Sequence, residues 1–469
     1  MADPDALPVS HDAVVVVPGI LGSALYDTVQ RRHIWGVDSL RWYWRAWTRG
    51  DGLHGLALDE DEREGRYGRV VPTKVIQAPA WAPVLGAVDP YTGLLATVRS
   101  VVADPAAVLE FAYDWRLPVE HNAALLAERM AGHLAAWRHN DAQLRARRRH
   151  PEGRPAQLVV IAHSMGGLLA QALALIPGAT ADVRSTITIG TPFYGSVRAA
   201  LILGTGRGAR PPLPPARLQA AARTMPGLHD LLPTYRCVHA PAGPAPLTPA
   251  DVEAIGGDLA LATESRAFHK RLDQRPLVGH HSVVGVAQKT AQGVVLRDGL
   301  VEAVTESFRY GPGGTVTVEE QAGDGTVHWE SAALLKDHHR FAQAHGRLAS
   351  MREVLSLVTD LVTRPGDRPR PLMGDEAVGL GIGVPDTAVV GTPVPVEVSR
   401  IDAQVTAFEL TGDRPDDEVD VAEPDWEDGV PVARLSLPRP GLYRVEADGG
   451  STSPVSHTVL VTEPAGAAG

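Results

Sequence analysis

The chain has 469 residues, 44% of them hydrophobic, and a formal net charge of −11. It is long enough for two domains, or for one large domain with insertions. The acidic balance excludes a broad basic surface for nucleic acid, and no apolar run reaches the roughly 18 residues that span a membrane.

The N-terminus and the cysteine content bear on the compartment. Residues 1–12 include Asp3 and Asp5 and contain no apolar segment of the kind that a secretory signal needs. Cys237 is the only cysteine, so the chain cannot form an internal disulfide, which fits a reducing compartment. We therefore expect a cytoplasmic protein.

The first predicted strand is the valine-rich run 13–17, which leads directly into Pro-Gly-Ile-Leu-Gly-Ser at 18–23. A glycine-rich turn at the end of a strand exposes backbone N–H groups. It is either an ordinary turn that uses glycine for its positive φ, or a source of one donor that binds an oxyanion. For the second interpretation, the candidate donor is the N–H of Leu21.

An aromatic cluster follows between residues 34 and 47. It contains Trp35, Trp42, Trp44 and Trp47, with arginines interleaved. Tryptophan suits a surface with one apolar and one wet side, which is typical of a lid or a lipid interface. The alternative is burial of these rings beneath an insertion. Residues 56–64 then turn acidic and are predicted to form a loop.

The middle of the chain alternates between strands and helices. Strand patterns cover 108–116, 158–163 and 186–189, and an amphipathic helix is predicted over 119–137. Strands that alternate with helices indicate a parallel sheet in an α/β fold. Within the first of these strands, we interpret Asp114 and Arg116 as a structural ion pair or a contact that shapes the site.

Ser164 lies between the apolar strand 158–163 and residues that suit a helix. Residues 162–166 read Ala-His-Ser-Met-Gly, which departs from the nucleophile-elbow pattern G-x-S-x-G only at its first position. A sharp turn requires small residues two before and two after the serine, and Ala162 and Gly166 meet that requirement. As an elbow, the segment would offer the N–H of Met165 as a second oxyanion donor. The alternative is a serine that only caps the helix.

An acid and a base follow the serine in chain order. From about 201 to 277 the alternation is lost and proline is frequent, which predicts a cap over the site. Asp324 then lies between two glycines, and His345 precedes a predicted helix over 350–362. The order Ser…Asp…His is that of α/β-hydrolase triads. His338 and His339 compete with His345, but they flank a charged stretch where solvated histidines are common.

Beyond residue 363 the pattern changes. Residues 364–371 are rich in proline and charge and predict a linker. Short alternating strands then cover 394–398, 405–410, 432–437, 443–447 and 455–461. This pattern is typical of an all-β, immunoglobulin-like sandwich. We expect residues 372–469 to form a separable domain, such that a cut in the linker leaves an active N-terminal piece.

Six motifs, in this order, resemble the lecithin:cholesterol acyltransferase-like branch of the α/β-hydrolases, which includes phospholipid:diacylglycerol acyltransferases and bacterial lipases. They are PGILGS at 18–23, YDWR at 113–116, AHSMGG at 162–167, GTPFYGS at 190–196, GDGTV at 323–327 and HGRL at 345–348. The resemblance implies an α/β-hydrolase domain over 1–363 with lid or cap insertions at about 26–90 and 197–280. The lid disulfide of the animal enzymes has no counterpart here, which favours a bacterial-type esterase or phospholipase.

The resemblance and the motifs together predict a serine carboxylic-ester hydrolase or O-acyltransferase that acts on lipid esters. Ser164 would attack the acyl carbonyl, His345 would carry the proton, and Asp324 would orient His345. No metal or cofactor is implied. The expected partners are an acyl-ester or lipid substrate, a membrane surface contacted peripherally, and another protein for the β domain. An amidase or peptidase with the same triad, and a non-catalytic binding protein on a hydrolase scaffold, are the alternatives.

Overall fold

The computed structural model describes most of the chain. The residues it describes are 9–36, 53, 55–77, 91–149, 153–209, 213–273, 275–310, 315–320, 322–334, 338–364, 379–410, 417–450 and 453–463. Trp42, Trp44, Trp47 and all of the predicted linker except Arg364 fall outside these ranges. Within the ranges, no helix is long and apolar enough to cross a membrane.

A sheet of six parallel strands forms the centre of the N-terminal part. In chain order its strands are β1 (Ala13–Val17), β2 (Val108–Glu110), β3 (Leu158–His163), β4 (Val183–Ile189), β5 (His280–Val286) and β6 (His339–Ala342). Every residue of β1 and β3 is buried, because the interior strands of a parallel sheet are covered on both faces.

The order of the strands across the sheet is β6-β5-β4-β3-β1-β2. The chain therefore moves outward from β1 to β2 and then returns past β1 to β3. In open α/β sheets, ligands bind outside the carboxyl ends of the strands at such a point of reversal. The topology alone thus directs attention to the ends of β1 and β3.

Helices cover both faces of this sheet. Connections between parallel strands are right-handed, so the reversal places the helix after β1 and the helix after β2 on opposite faces. Accordingly, Tyr91–Ser100 packs with Arg352–Thr363, and Val119–Arg138 packs with Met165–Ala172. The other described helices are Glu60–Arg63, Asp141–Arg149, Val197–Thr205, Pro215–Ala222, Pro226–His229, Pro249–Ala254, Leu259–Leu272, Trp329–Ala332 and His345–Leu348, with 3-10 turns at Pro105–Ala107 and Leu173–Leu175.

Inserted structure follows β1, β4 and β5. The inserted strands are Ser23–Asp27, Arg32–Trp35 and Val70–Val75 after β1, Val238–Ala240 and Gly243–Ala245 after β4, and Gly293–Arg297, Leu300–Val304, Glu306–Tyr310 and Val316–Glu320 after β5. The helices between 197 and 272 lie within the predicted cap. The segment after β5 is not predicted from the sequence, and its strand Gly293–Arg297 pairs with Val238–Ala240 of the cap.

The C-terminal part consists of two β-sheets with a common core. One sheet contains Ile382–Gly383, Val394–Val398, Asp425–Glu427 and Val430–Leu435, and the other contains Thr387–Val389, Gln404–Glu409, Asp417–Ala422, Gly441–Asp448 and Val455–Thr462. Alternate side chains from both sheets, such as Val396 and Val445, are buried in one apolar cluster. The predicted all-β architecture is confirmed.

One predicted strand is too long. The pattern over 108–116 predicts a strand, but the strand ends at Glu110. Beyond it Arg116 is fully buried, and its guanidinium bonds to Asp114 at 2.7 Å and to Glu62 at 2.8 Å. A charge in the interior is costly unless it is paired, so the chain leaves the sheet to make these bonds. The bonds also tie residues 55–77 to the core.

Candidate active site

Ser164 occupies a strained turn between β3 and the helix Met165–Ala172. Its backbone has φ 54° and ψ −127°, a combination that residues with side chains rarely adopt. A Cβ on Gly166 would lie 2.6 Å from the carbonyl oxygens of both Val17 and Pro18, so only glycine lets the helix start this close to β1. The turn presents Ser164 beside the carboxyl end of β1.

The structure brings Ser164, His345 and Asp324 together from three separate segments. The Ser164 Oγ lies 2.8 Å from the His345 Nε2, and the His345 Nδ1 lies 2.6 Å from the Asp324 Oδ2. In the neutral imidazole, Nδ1–H donates to the carboxylate and Nε2 accepts from the hydroxyl. The His345 side chain is 14% exposed and that of Asp324 is 1% exposed, so the acid is shielded from water beneath the base.

Asp324 is fixed by a tight turn. Its Oδ1 accepts the N–H groups of Thr326 at 2.9 Å and Val327 at 2.7 Å, which leaves Oδ2 for His345. Gly325 has φ 83°, which a residue with a side chain adopts only with strain. The His345 N–H also donates to the Asp324 carbonyl at 2.9 Å. Acid and base are therefore connected through both side chain and main chain.

The two predicted oxyanion donors lie at the ends of β1 and β3. The Gly22 N–H donates to the Gly19 carbonyl at 3.0 Å and closes a turn in which Leu21 has φ 65°, at a position where glycine is usual. Met165 is buried directly after Ser164. In the described part of the chain, no hydrogen bond uses the N–H of Leu21 or of Met165, so both are available to a ligand.

Tyr91 and His163 support the site, although no motif in the sequence predicts a role for either. The Tyr91 hydroxyl lies 2.7 Å from the Gly19 nitrogen and 2.9 Å from the His163 Nδ1. Since the Gly19 N–H can only donate, the hydroxyl accepts from it and donates to Nδ1. His163 then carries its proton on Nε2, which lies 3.2 Å from the His345 carbonyl oxygen. Burial lowers the pKa of His163 to about 3, so the ring is neutral.

A cavity of about 290 Å³ opens beside Ser164 and His345. Its apolar wall residues include Ile20, Trp35, Ile76, Ile202, Leu213 and Leu228. Trp35 is buried, and its Nε1–H donates to the Leu21 carbonyl at 2.7 Å while its ring meets Trp115 edge-on. Of the four tryptophans predicted to form a lid, the structure therefore describes one, and it lies in the cavity wall.

The competing side chains lie elsewhere. The His338 ring stacks on Trp329, and its Nε2 accepts from the Arg340 Nε at 2.8 Å. His339 is the first residue of β6, and Asp114 bonds to Arg116. In the ranges that the structure describes, no group of three or more His, Cys, Asp or Glu side chains could hold a metal ion.

Comparison with known proteins bears on the fold. A family model described as a PGAP1-like alpha/beta domain matches residues 142–200, which include β3, Ser164 and β4. The sequence has no significant match among curated proteins. A chain in a structure of the Tle4–Tli4 complex is similar, with a TM-score of 0.50 and 16% identity, over 76% of this chain and 99% of that chain. At this identity the likeness concerns the fold alone.

Two further solved structures are less similar. The mature lipase BlEst2 of Bacillus licheniformis has a TM-score of 0.32 and 13% identity, over 77% of this chain and 95% of its own. Phospholipase PlaB from Legionella pneumophila has a TM-score of 0.24 and 11% identity, over 96% of this chain and 92% of its own. Scores this low support no argument.

The sheet order, the family model and the first likeness confirm an α/β-hydrolase fold followed by an all-β part. The matching family model is PGAP1-like, so the narrower resemblance to lecithin:cholesterol acyltransferases stays a prediction from the sequence.

Proposed function

We propose that the protein is a serine hydrolase that cleaves carboxylic esters of lipids. The observation that carries this proposal is the pair of hydrogen bonds from Ser164 to His345 at 2.8 Å and from His345 to Asp324 at 2.6 Å. A serine needs such a base, oriented by a third group, to lose its proton as it attacks. A serine that only capped the helix would accept from backbone N–H groups, and the Ser164 side chain makes no such bond.

Acylation follows from this geometry. The Ser164 Oγ attacks the ester carbonyl carbon while the His345 Nε2 takes the hydroxyl proton, and the Asp324 carboxylate stabilises the imidazolium that results. The former carbonyl oxygen becomes negative and is bound by the N–H groups of Leu21 and Met165. One such donor typically contributes about 3 kcal/mol to transition-state stabilisation. The His345 proton then passes to the departing alkoxide, and the acyl group stays on Ser164.

Deacylation reverses the proton path. The His345 Nε2 takes a proton from an incoming water or alcohol, whose oxygen attacks the acyl-enzyme carbonyl. Collapse of the second tetrahedral intermediate returns the proton to the Ser164 Oγ. Water gives hydrolysis and an alcohol gives acyl transfer, so the ratio of the two products measures which acceptor reaches the site.

The cavity supports a lipid as the substrate. The segments inserted after β1 and after β4 contribute apolar side chains to its walls, Trp35 from the first and Ile202 from the second. Burying an alkyl chain in such a space contributes about 0.8 kcal/mol per methylene. Trp42, Trp44 and Trp47 lie outside the described residues, and their contact with a lipid surface stays a prediction from the sequence.

Labelling with a fluorophosphonate tests whether Ser164 is a nucleophile. We expect the wild type to be labelled and to hydrolyse p-nitrophenyl esters. Ser164→Ala should lose both properties and keep the melting temperature of the wild type. His345→Ala and Asp324→Asn should each lower kcat by a factor on the order of 10⁴. These losses should not add to that of Ser164→Ala, because triad members act as a unit.

His339→Ala is the matched control, since it removes a nearby histidine that does not contact Ser164 and should keep the activity. An inactive His339→Ala beside an active His345→Ala would show that the histidine assignment is wrong. A wild type that is neither labelled nor active would favour the non-catalytic interpretation, and faster turnover of matched amides than of esters would indicate an amidase.

A further inference from the structure

The outer face of one C-terminal sheet is covered. In the strands Gly441–Asp448 and Val455–Thr462, the side chains alternate between the sandwich core and the opposite face. Leu442 pairs with Leu460, and Glu446 pairs with Ser456, so these four share the face turned away from the core. Such a face is normally solvated, yet Leu442 is 3% exposed and both Leu460 and Ser456 are 4% exposed.

This outer face borders the cavity beside Ser164. Leu442, Ser456 and Thr458 line the same cavity as Ser164 and His345. The segment that carries the base, residues 344–347, lies in the wall with them. The space next to the nucleophile is therefore closed jointly by the N-terminal part and by the β-sandwich.

Two buried glutamines hold the β-sandwich against the loops of the acid and the base. The Gln288 side chain donates to the Leu380 carbonyl at 3.1 Å and accepts the Ile382 N–H at 3.1 Å. Its backbone bonds in both directions to Gly323, directly before Asp324. Gln343, two residues before His345, donates its side-chain N–H to the Pro454 carbonyl at 3.0 Å.

The hydrogen bonds of these two glutamines do not depend on surface charges. Gln288 is 0% exposed and Gln343 is 2% exposed, and a buried amide that lost its partner would carry the full cost of desolvation. The sandwich is therefore held at a fixed distance from the reacting atoms, which a flexibly tethered module would not be.

We propose that the C-terminal β-sandwich forms a wall of the acyl-binding cavity and determines the length of acyl chain that the site accepts. This rests on the proposed ester hydrolysis at Ser164. The ligand class is an apolar acyl chain, because Leu442 and the apolar residues of the inserted segments line the space that continues from Ser164.

Two substitutions with opposite effects test the proposal in the full-length chain. Thr458→Leu adds volume to the wall, and Leu442→Ala removes it. The measured quantity is the ratio of kcat/KM for p-nitrophenyl palmitate to kcat/KM for p-nitrophenyl butyrate. A change of one or two methylene-sized groups in an apolar pocket changes discrimination about tenfold or more. We expect Thr458→Leu to lower the ratio by about that factor and Leu442→Ala to raise it.

The ratio compares two substrates in one protein, so a partly unfolded variant still reports it. Thr406→Leu is the control, since Thr406 pairs with Glu446 on the same face of the same sheet but does not line the cavity. Its ratio should equal that of the wild type. Ratios that stay at the wild-type value in both test variants, with Ser164-dependent hydrolysis intact, overturn this proposal alone. Absence of Ser164-dependent hydrolysis in the wild type overturns the proposed function as well.

Discussion

The hydrogen bonds around His163 connect the turn after β1 to the base of the site. Gly19 donates to the Tyr91 hydroxyl, Tyr91 donates to His163, and His163 donates to the His345 carbonyl. The donor and acceptor of each of these hydrogen bonds are fixed, because the first donor is a backbone N–H. We interpret Tyr91 and His163 as positioning residues that act on the reaction through His345 and the Leu21 turn.

Tyr91→Phe tests this interpretation. The substitution leaves the buried Gly19 N–H and His163 Nδ1 without a partner, which costs about 1–3 kcal/mol of stability for each group. It also frees His163 to change tautomer and turn its Nε2 away from His345. We expect kcat for a soluble ester to fall about tenfold while KM changes little, since the lost contact orients the base and does not bind substrate.

Tyr113→Phe is the matched control. The Tyr113 hydroxyl is also buried, and it donates to the Pro18 carbonyl of the same turn at 2.9 Å without contacting His163. It should lower the melting temperature with a smaller loss of kcat. Equal losses of kcat in the two variants would show that Tyr91 has only a structural role. His163→Gln, which can accept and donate at both ends, should retain more activity than His163→Leu.

At this scale the sequence is informative where a residue stands in a recognisable motif or in the chain order of a known triad. Ser164 stands in a local motif, and Asp324 and His345 follow it in the order of a known triad. Tyr91 starts a helix 72 residues before His163, and no local pattern relates the two. Its role depends on the packing of that helix beside β1, which becomes visible only in the folded chain.

At the scale of elements, the turn at Ser164 depends on how closely the following helix approaches β1. Gly166→Ala would place a methyl group 2.6 Å from two backbone oxygens, and backbone atoms yield less readily than the end of a side chain. We expect a loss of about 1–3 kcal/mol in the free energy of unfolding. Movement of the helix start should also displace Ser164, so labelling by a fluorophosphonate should slow.

Gly132→Ala provides the comparison within the same protein. Gly132 lies in the helix Val119–Arg138 with no atom within 4 Å of its Cβ position. Alanine there should stabilise the protein by about 1 kcal/mol through helix propensity. The free energy of unfolding in urea, measured for both variants, distinguishes the close approach of the helix to β1 from a general effect of replacing glycine. If both variants were stabilised, the account of the elbow would be wrong.

The strands that the sequence predicts best are those with simple surroundings. The bounds 13–17 and 394–398 agree with the structure, because one strand is buried throughout and the other alternates regularly. The strand predicted at 108–116 is too long, since its apolar pattern continues into residues that surround the Arg116 ion pair. Residues 56–64, predicted to form a loop, contain a short helix capped by Asp59 and Glu62. That capping box is a local signal for a helix start, and the loop prediction does not take it into account.

At the scale of the whole molecule, the change in periodicity predicts where the β-sandwich begins but not what it contacts. A proline-rich boundary is typical of a flexible linker, and it carries no information on the surfaces at either side. The hydrogen bonds of Gln288 and Gln343 join elements that are far apart in the chain. No local sequence motif marks either glutamine. The expectation of an independently active N-terminal piece stays a prediction, and the proposed wall of the cavity predicts the opposite result for long-chain esters.

The pH dependence of stability is also set by the whole fold, because it depends on which groups are buried. Burial lowers the pKa of His163 to about 3 and the pKa values of His280 and His328 to about 4. Burial raises the pKa of Asp230 to about 7. Between roughly pH 4 and 6.5 the unfolded chain therefore binds a proton on each of these three histidines that the folded chain lacks, and the folded chain holds one extra proton on Asp230.

The unfolded state binds more protons over this interval, so stability rises with pH and falls on acidification. Each net proton contributes about 1.4 kcal/mol per pH unit. We expect the free energy of unfolding in urea to fall between roughly pH 7 and pH 5. His280, which faces Thr188 and His281, supplies one of the three protons. His280→Gln should therefore reduce the fall by about 1–2 kcal/mol, whereas His139→Gln, at an exposed histidine, should leave it unchanged. A fall of the same size in both variants would mean that acid sensitivity comes from other groups, and a stability independent of pH would contradict the burial of all three histidines.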